Sequence, residues 1–221
     1  MAKSKRIATK EVAMELRADF ARREVVLPGG EAWRPSPMAG AERTMLDRIG
    51  EEVARETSIV RYAAGARFSA HTHGGGEESL VLAGSFRDDG SDYPEGTYVR
   101  NPIGTAHASW AGPDGAVLFV KLDQFAAADT QRVVIDTRAA RWHQGMVPGL
   151  TVLPLHEHGP ESRWCGGRRR PGSGGITTGA ARRSSCWMVC SRTSTARTPR
   201  AAGCAARTCR STTRSPGLTA R

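Results

Sequence analysis

The sequence predicts an all-β protein, a sandwich or barrel of short strands, and three observations carry that reading. Apolar and β-branched runs of five to nine residues recur along the first 140 positions. Clusters of turn formers separate them, among them Gly74-Gly75-Gly76, Asp88-Asp89-Gly90 and Gly112-Pro113-Asp114. No amphipathic helical stretch of 10 to 15 residues stands between the runs, which argues against alternating strands and helices.

Taken in order, residues 1–20, MAKSKRIATKEVAMELRADF, are charged, with weak helical periodicity in Val12, Met14 and Leu16. They read as a loosely docked arm or a plain surface helix. From Arg23 the text turns to short apolar runs: REVVLPGGEAW, RPSPMAG, then RTMLDRIGEEVARETSIVRYAAG. Pro35 and Pro37 exclude a helix there, and Thr57–Tyr62 is β-branched enough for a strand. Further strands are predicted at Ala66–His73, Glu78–Ala83, Gly96–Arg100, Ala106–Trp110, Ala116–Gln124 and Arg132–Thr137. Beyond Asp136, VPGLTVLPLHE has the form of the opening strand of another β unit. The expected organisation is an arm (1–20), a β domain (21–140), a linker with the start of a truncated second lobe (141–161), and a disordered basic tail (162–221).

Charge divides the chain at the same point. The net charge is +10, yet residues 1–160 carry 19 Lys and Arg against 21 Asp and Glu, a net of −2. Residues 161–221 carry 13 Arg and one acid, Glu161, a net of +12. All five cysteines (Cys165, Cys186, Cys190, Cys204 and Cys209) also lie there, so the body needs no oxidising compartment. With no signal-peptide core and no apolar run of membrane length, a cytoplasmic body is expected.

The chemistry concentrates in Gly65–Gly84, GARFSAHTHGGGEESLVLAG. On a strand, His71 and His73 share one face with Thr72 opposite, as two imidazoles must to reach one ion roughly 2 Å away. Gly74-Gly75-Gly76 then permits a chain reversal that returns Glu77 beside them, in an expected hairpin. A second segment, Gly96 to His107, is a strand, a Pro-x-Gly turn and a further strand that delivers His107. Three imidazoles and a carboxylate suit zinc, iron, manganese or nickel alike.

The first segment fits the cupin pattern G-x5-H-x-H-x3-E-x6-G at Gly65, His71, His73, Glu77 and Gly84; the second fits G-x5-P-x-G-x2-H at Gly96, Pro102, Gly104 and His107. Ala111 stands where that pattern often has asparagine. RYAAGARFSAHTHGGGEESLVLAGSF, YPEGTYVRNPIGTAH and LFVKLDQF resemble the cupin domain of ChrR-type anti-sigma factors and their stand-alone relatives, over roughly Val25 to Glu161. The resemblance implies a cupin fold, the double-stranded β-helix or jelly-roll β-barrel. It also implies a divalent metal, zinc first with iron or manganese as alternatives, held by His71, His73, Glu77 and His107. ChrR proteins also grip a sigma factor through an N-terminal zinc domain with a His-x3-Cys-x2-Cys type motif. Nothing before Cys165 supplies its cysteines, so sigma binding is not carried over. His143, His156 and His158 lack a glutamate-bearing partner segment and are not assigned as ligands.

The tail has a further reading. If each codon is formed from a free third base and the first two bases of the next observed residue, positions 176 to 189 spell HHHWGGEEILVLDG, a second copy of HTHGGGEESLVLAG. The hidden histidines at 176 and 178, glutamate at 182 and glycine at 189 each lie 105 positions after His71, His73, Glu77 and Gly84. Positions 198, 199, 201, 207 and 212 can likewise read as counterparts of Tyr93, Pro94, Gly96, Pro102 and His107. Cys209 cannot yield the match to Gly104. Two tandem lobes with a frame change at or just before residue 162 are therefore expected, which would leave the Thr151–Leu155 strand without partners.

Two functions remain open: a ChrR-like metal-binding regulatory or sensing module, and a metal-dependent cupin dioxygenase. A closed four-ligand site would favour the first and an open coordination position the second. A small-molecule ligand and a homodimer are open; nucleic acid, membrane and sigma-factor partners are not expected. Tyr62, Arg67 and Tyr98 read as packing or supporting residues near the site.

Overall fold

The protein is described by a computed structural model covering residues 14–22, 24, 26, 30–51, 53–145, 150–158, 162–169, 187–192 and 207–208. Most of the N-terminal arm and most of the tail therefore lie outside the described residues. Fifteen strands follow one another, and there is no helix among the described residues. They are β1 (Glu15–Leu16), β2 (Arg34–Pro35), β3 (Ala41–Ile49), β4 (Arg55–Tyr62), β5 (Arg67–Thr72), β6 (Glu77–Asp88), β7 (Ser91–Pro94) and β8 (Thr97–Asn101). There follow β9 (Ala106–Leu122), β10 (Val133–Asp136), β11 (His143–Gln144), β12 (Leu150–His158), β13 (Ser162–Arg169), β14 (Trp187–Arg192) and β15 (Arg207–Thr208).

Ten strands form one antiparallel sheet along the path β1-β3-β4-β9-β6-β8-β10, with β2 on β3, β5 on β9 and β7 on β6. Its two faces are separately buried. Along β9, Leu118 and Val120 point into the interior with Val60, Phe68, Val81 and Phe86. Phe119, between them, points outward with Leu80 and Tyr98, where Leu153 and Leu155 of β12 cover it. Strand β12 is thus docked on the barrel, with Trp142 packed against the same cluster.

Three expectations are corrected. Ala106–Trp110 and Ala116–Gln124 are halves of the single long strand β9, and Gly112-Pro113-Asp114 is no turn between strands. The bend falls where β9 changes partners: β5 pairs with its first half, β4 with its second, and β6 slips register between Gly84 and Phe86. In the arm, Leu16 sits in a strand pairing Leu16 with Arg48, so its surroundings are not helical. Finally, β12 is paired on both sides, by β11 and β13. Within the expected disordered tail, β13, β14 and β15 extend that second sheet in the order β11-β12-β13-β14-β15. Main-chain pairing asks little of the side chains, so an open edge can be extended by arginine-rich text.

The second sheet repeats the opening of the first. The pairs Arg34↔Arg43 and Pro35↔Glu42 join β2 to β3, and His143↔Val152 and Gln144↔Thr151 join β11 to β12, each number 109 higher. The closing bonds shift by the same interval: Ser36 N donates to Ala41 O at 2.9 Å, and Gly145 N donates to Leu150 O at 2.8 Å.

Candidate metal centre

His71 and His107 are opposite one another in the β5–β9 ladder, which aims both side chains to one face. His73 follows just after β5; its N–H donates to Thr105 O at 2.9 Å, and its carbonyl accepts from Gly104 N at 2.9 Å. The Pro-x-Gly turn is thereby pinned to the His-x-His segment, with Gly104 supplying a φ of 84° that glycine tolerates best. The three rings stand edge to face at centroid distances of 4.9 to 5.0 Å, with one nitrogen from each lying within 4.8 Å of the others.

Glu77 arrives by a different route from the expected hairpin. β5 pairs with β9, and β6 pairs with β7, β8 and β9, so Gly74–Gly76 is a crossing connection. Gly75 and Gly76 are needed because segment 123–125 lies against them: a Cβ on Gly76 would meet the Phe125 ring at 2.4 Å, and Asp123 N donates to Gly76 O at 3.0 Å. Glu77 Oε2 ends 4.0 Å from His73 Nδ1, beside the histidine cluster and hydrogen-bonded to Asn101.

The electrostatics suit a cation. Burial, reinforced by His107 and then His71, holds the His73 imidazole down to about 4, so it stays neutral and able to donate a lone pair. His107 is lowered by burial and His71, against the opposing pull of Asp88. Burial raises Glu77 to about 7, although His71 and the Asn101 bond work against it. His73 Nε2 is buried with no hydrogen-bond partner, an arrangement costing about 1–3 kcal/mol unless something accepts its lone pair. His71 Nδ1 lies 3.1 Å from Ser69 O, and His107 Nδ1 lies 3.6 Å from Asp88 Oδ2, which leaves Nε2 of each ring for an ion. The residues therefore fit a divalent metal.

Sequence reasoning missed Asp88, Asn101 and Ser69. Asp88 is held by Tyr93 Oη at 2.7 Å and Gly90 N at 3.0 Å, and Arg132 Nη2 donates to Tyr93 Oη at 2.8 Å. Its only local signal was the Asp-Asp-Gly turn. Of the three supporting residues expected, Tyr62 does line the site's cavity, edge-on to Phe68 and tilted against Phe86. Arg67 lies over Trp110, and Tyr98 turns to the opposite face of the sheet, where its hydroxyl donates to Glu78 at 2.6 Å. His156 is also elsewhere, its Nε2 3.0 Å from Asp129.

Residues 21–126, which hold all four motif positions, match the family model described as the ChrR cupin-like domain. This stretch is a ChrR cupin-like domain. No curated protein matches the chain significantly in sequence. Among solved structures, it is similar to one described as a putative dioxygenase from Nostoc punctiforme PCC 73102, with a TM-score of 0.51 and 15% identity over 64% of this chain and 57% of that one. It is also similar to the protein YlbA from E. coli, with a TM-score of 0.50 and 15% identity over 66% of this chain and 63% of the other. At this identity the likeness shows the cupin fold, and the chain spans less than two thirds of either relative. No helix among the described residues is long and apolar enough to cross a membrane.

Proposed function

We propose that the ChrR cupin-like domain binds one divalent ion through His71, His73, His107 and Glu77, and handles a small molecule beside it. The observation that carries this reading is a cavity of about 460 Å³ that runs up to the three imidazoles and Glu77 between walls of Phe68, Phe86 and Leu118. Its size suits a compact organic molecule. A bound ion would supply Lewis acidity there and, if iron, redox chemistry with dioxygen. The chain's own contributions are the neutral imidazoles, a carboxylate of adjustable protonation at Glu77, and an apolar wall that limits water.

Zinc with ligand sensing is the regulatory form of this function, and iron with oxygen-dependent turnover is the dioxygenase form. The cavity favours the second, because it leaves one side of the histidine cluster open. Purified protein, stripped and reloaded with zinc, ferrous iron or manganese, separates the two by metal stoichiometry and oxygen consumption. Failure of every ion to bind at one per chain overturns the metal reading.

A further inference from the structure

We infer that the cavity's far end is a receptor for a small hydroxycarboxylate, with the Arg43 guanidinium taking the carboxylate and Glu56 Oε1 accepting from the hydroxyl. The inference rests on the small-molecule reading of the same cavity, and names what enters it.

Arg43 and Glu56 line the same cavity as the histidine cluster, together with Ser58. The ladder sets their relation to the metal end: Glu56 and Glu77 both lie opposite Leu122, on its two sides. Two strand spacings separate them, about 10 Å, a length that a compact chain of carbon atoms and its polar ends can fill.

The local charge is unevenly shared. Arg43 Nη1 donates to Glu56 Oε2 at 3.2 Å, and Arg48 Nη1 donates to the same oxygen. Two guanidinium groups thus share one carboxylate oxygen, and Glu51 is a further acid acting on Arg48, which leaves Arg43 the less compensated of the two. Arg48 is occupied further by the carbonyls of Gly50 and Glu51, so Arg43 is the cation with capacity to spare. Its side chain is 23% exposed, against 5% for Arg48.

The other oxygen, Glu56 Oε1, is the independent observation. Glu56 is 1% exposed, and this oxygen is buried without a hydrogen-bond partner. An ion pair that served stability alone would not leave a buried acceptor unfilled. A ligand that puts an anion on Arg43 and a donor on Oε1 satisfies both groups, whereas a plain carboxylate satisfies only the first. The opposite pole carries the histidines, so a divalent ion there adds to the attraction for an anion.

The test uses the zinc-loaded full chain and titration calorimetry with L-malate and with succinate, which differ by the hydroxyl. Malate is expected to bind more tightly by roughly tenfold or more, the worth of a hydrogen bond to a charged acceptor. R43Q should weaken both acids while its zinc content and thermal melt stay as in the parent. Equal binding of the two acids, absence of malate binding in the millimolar range, or full malate affinity in R43Q would each overturn the proposal. Zinc stoichiometry on the same samples shows separately whether the metal reading holds. Should R43Q fail to fold, the malate and succinate comparison on the parent chain decides.

Discussion

His71 and His107 face each other across the β5–β9 ladder with ring centroids 4.9 Å apart, although 36 positions separate them in the chain. The convergence is set by backbone register, so it exists before any ion binds. Replacing either imidazole with alanine should leave the strands in place and remove a metal ligand. H71A and H107A are each expected to weaken zinc binding by more than roughly 100-fold, beyond the usual cost of losing a supporting residue. Competition with a chelating dye would measure it, and unchanged affinity in either variant would remove the site.

Asp88 should matter one step further out. Its carboxylate orients His107 through Nδ1 and is itself held by Tyr93 and Gly90. Burial opposes its charge, yet those bonds and His107 hold its pKa below the ordinary carboxylate range. D88N keeps the shape and removes the charge, so metal affinity is expected to fall about 10- to 100-fold with the fold retained. A D88N protein with parental affinity would show that Asp88 serves packing alone.

Glu77 gives a pH dependence with a definite sign. In the metal-free protein its pKa is raised by burial from 4.5 to about 7, so the folded state holds a proton that the unfolded state has released between those values. Its contribution to stability is full below pH 4.5 and is lost as pH rises through about 7. His73, lowered to about 4, acts in the opposite sense: its contribution is present above its ordinary 6.5 and is lost as pH falls toward 4. The two slopes oppose each other between pH 4.5 and 6.5. E77Q removes only the first, so chelated E77Q should be more stable than the parent at pH 8, by up to roughly 3 kcal/mol, and equal to it at pH 4. Denaturant melts at the two pH values check this, and a parent that outlasts E77Q at pH 8 would reverse the assignment.

The sequence made the histidines legible because a strand's period of two, together with a glycine-punctuated spacing, leaves few other uses for His71, His73 and Glu77. It could not show that β5 and β6 are unpaired with one another, because a glycine run permits a reversal and a crossing alike. In the crossing, Phe125, 49 positions away, packs where a Cβ on Gly76 would sit. Asp88 and Glu56 were hidden for a related reason. Each looks like an ordinary strand or turn acid, and its role depends on the partner a distant strand brings to it. The single strand β9 was read as two because Gly112-Pro113-Asp114 has turn chemistry, which here serves a bulge.

The repeated register bears on the tail. β2–β3 and β11–β12 share pairing and closing bonds at an interval of 109, all within residues before 162. Read in the shifted frame, the text beyond 162 would repeat the histidine segment at an interval of 105. One duplication accounts for both if the second copy is four residues shorter between its first strand and its histidines, a length change that a surface loop absorbs at little cost. The coding DNA across codons 155 to 170 is expected to hold one base change in length, and its correction to give a chain with a second His-x-His segment. That restored protein should bind two ions where the present one is expected to bind one, as counted by metal analysis per chain. A coding sequence without cupin text in the alternative frame, or a restored chain that still binds a single ion, would leave the 109-residue repeat as a coincidence of two short β arches.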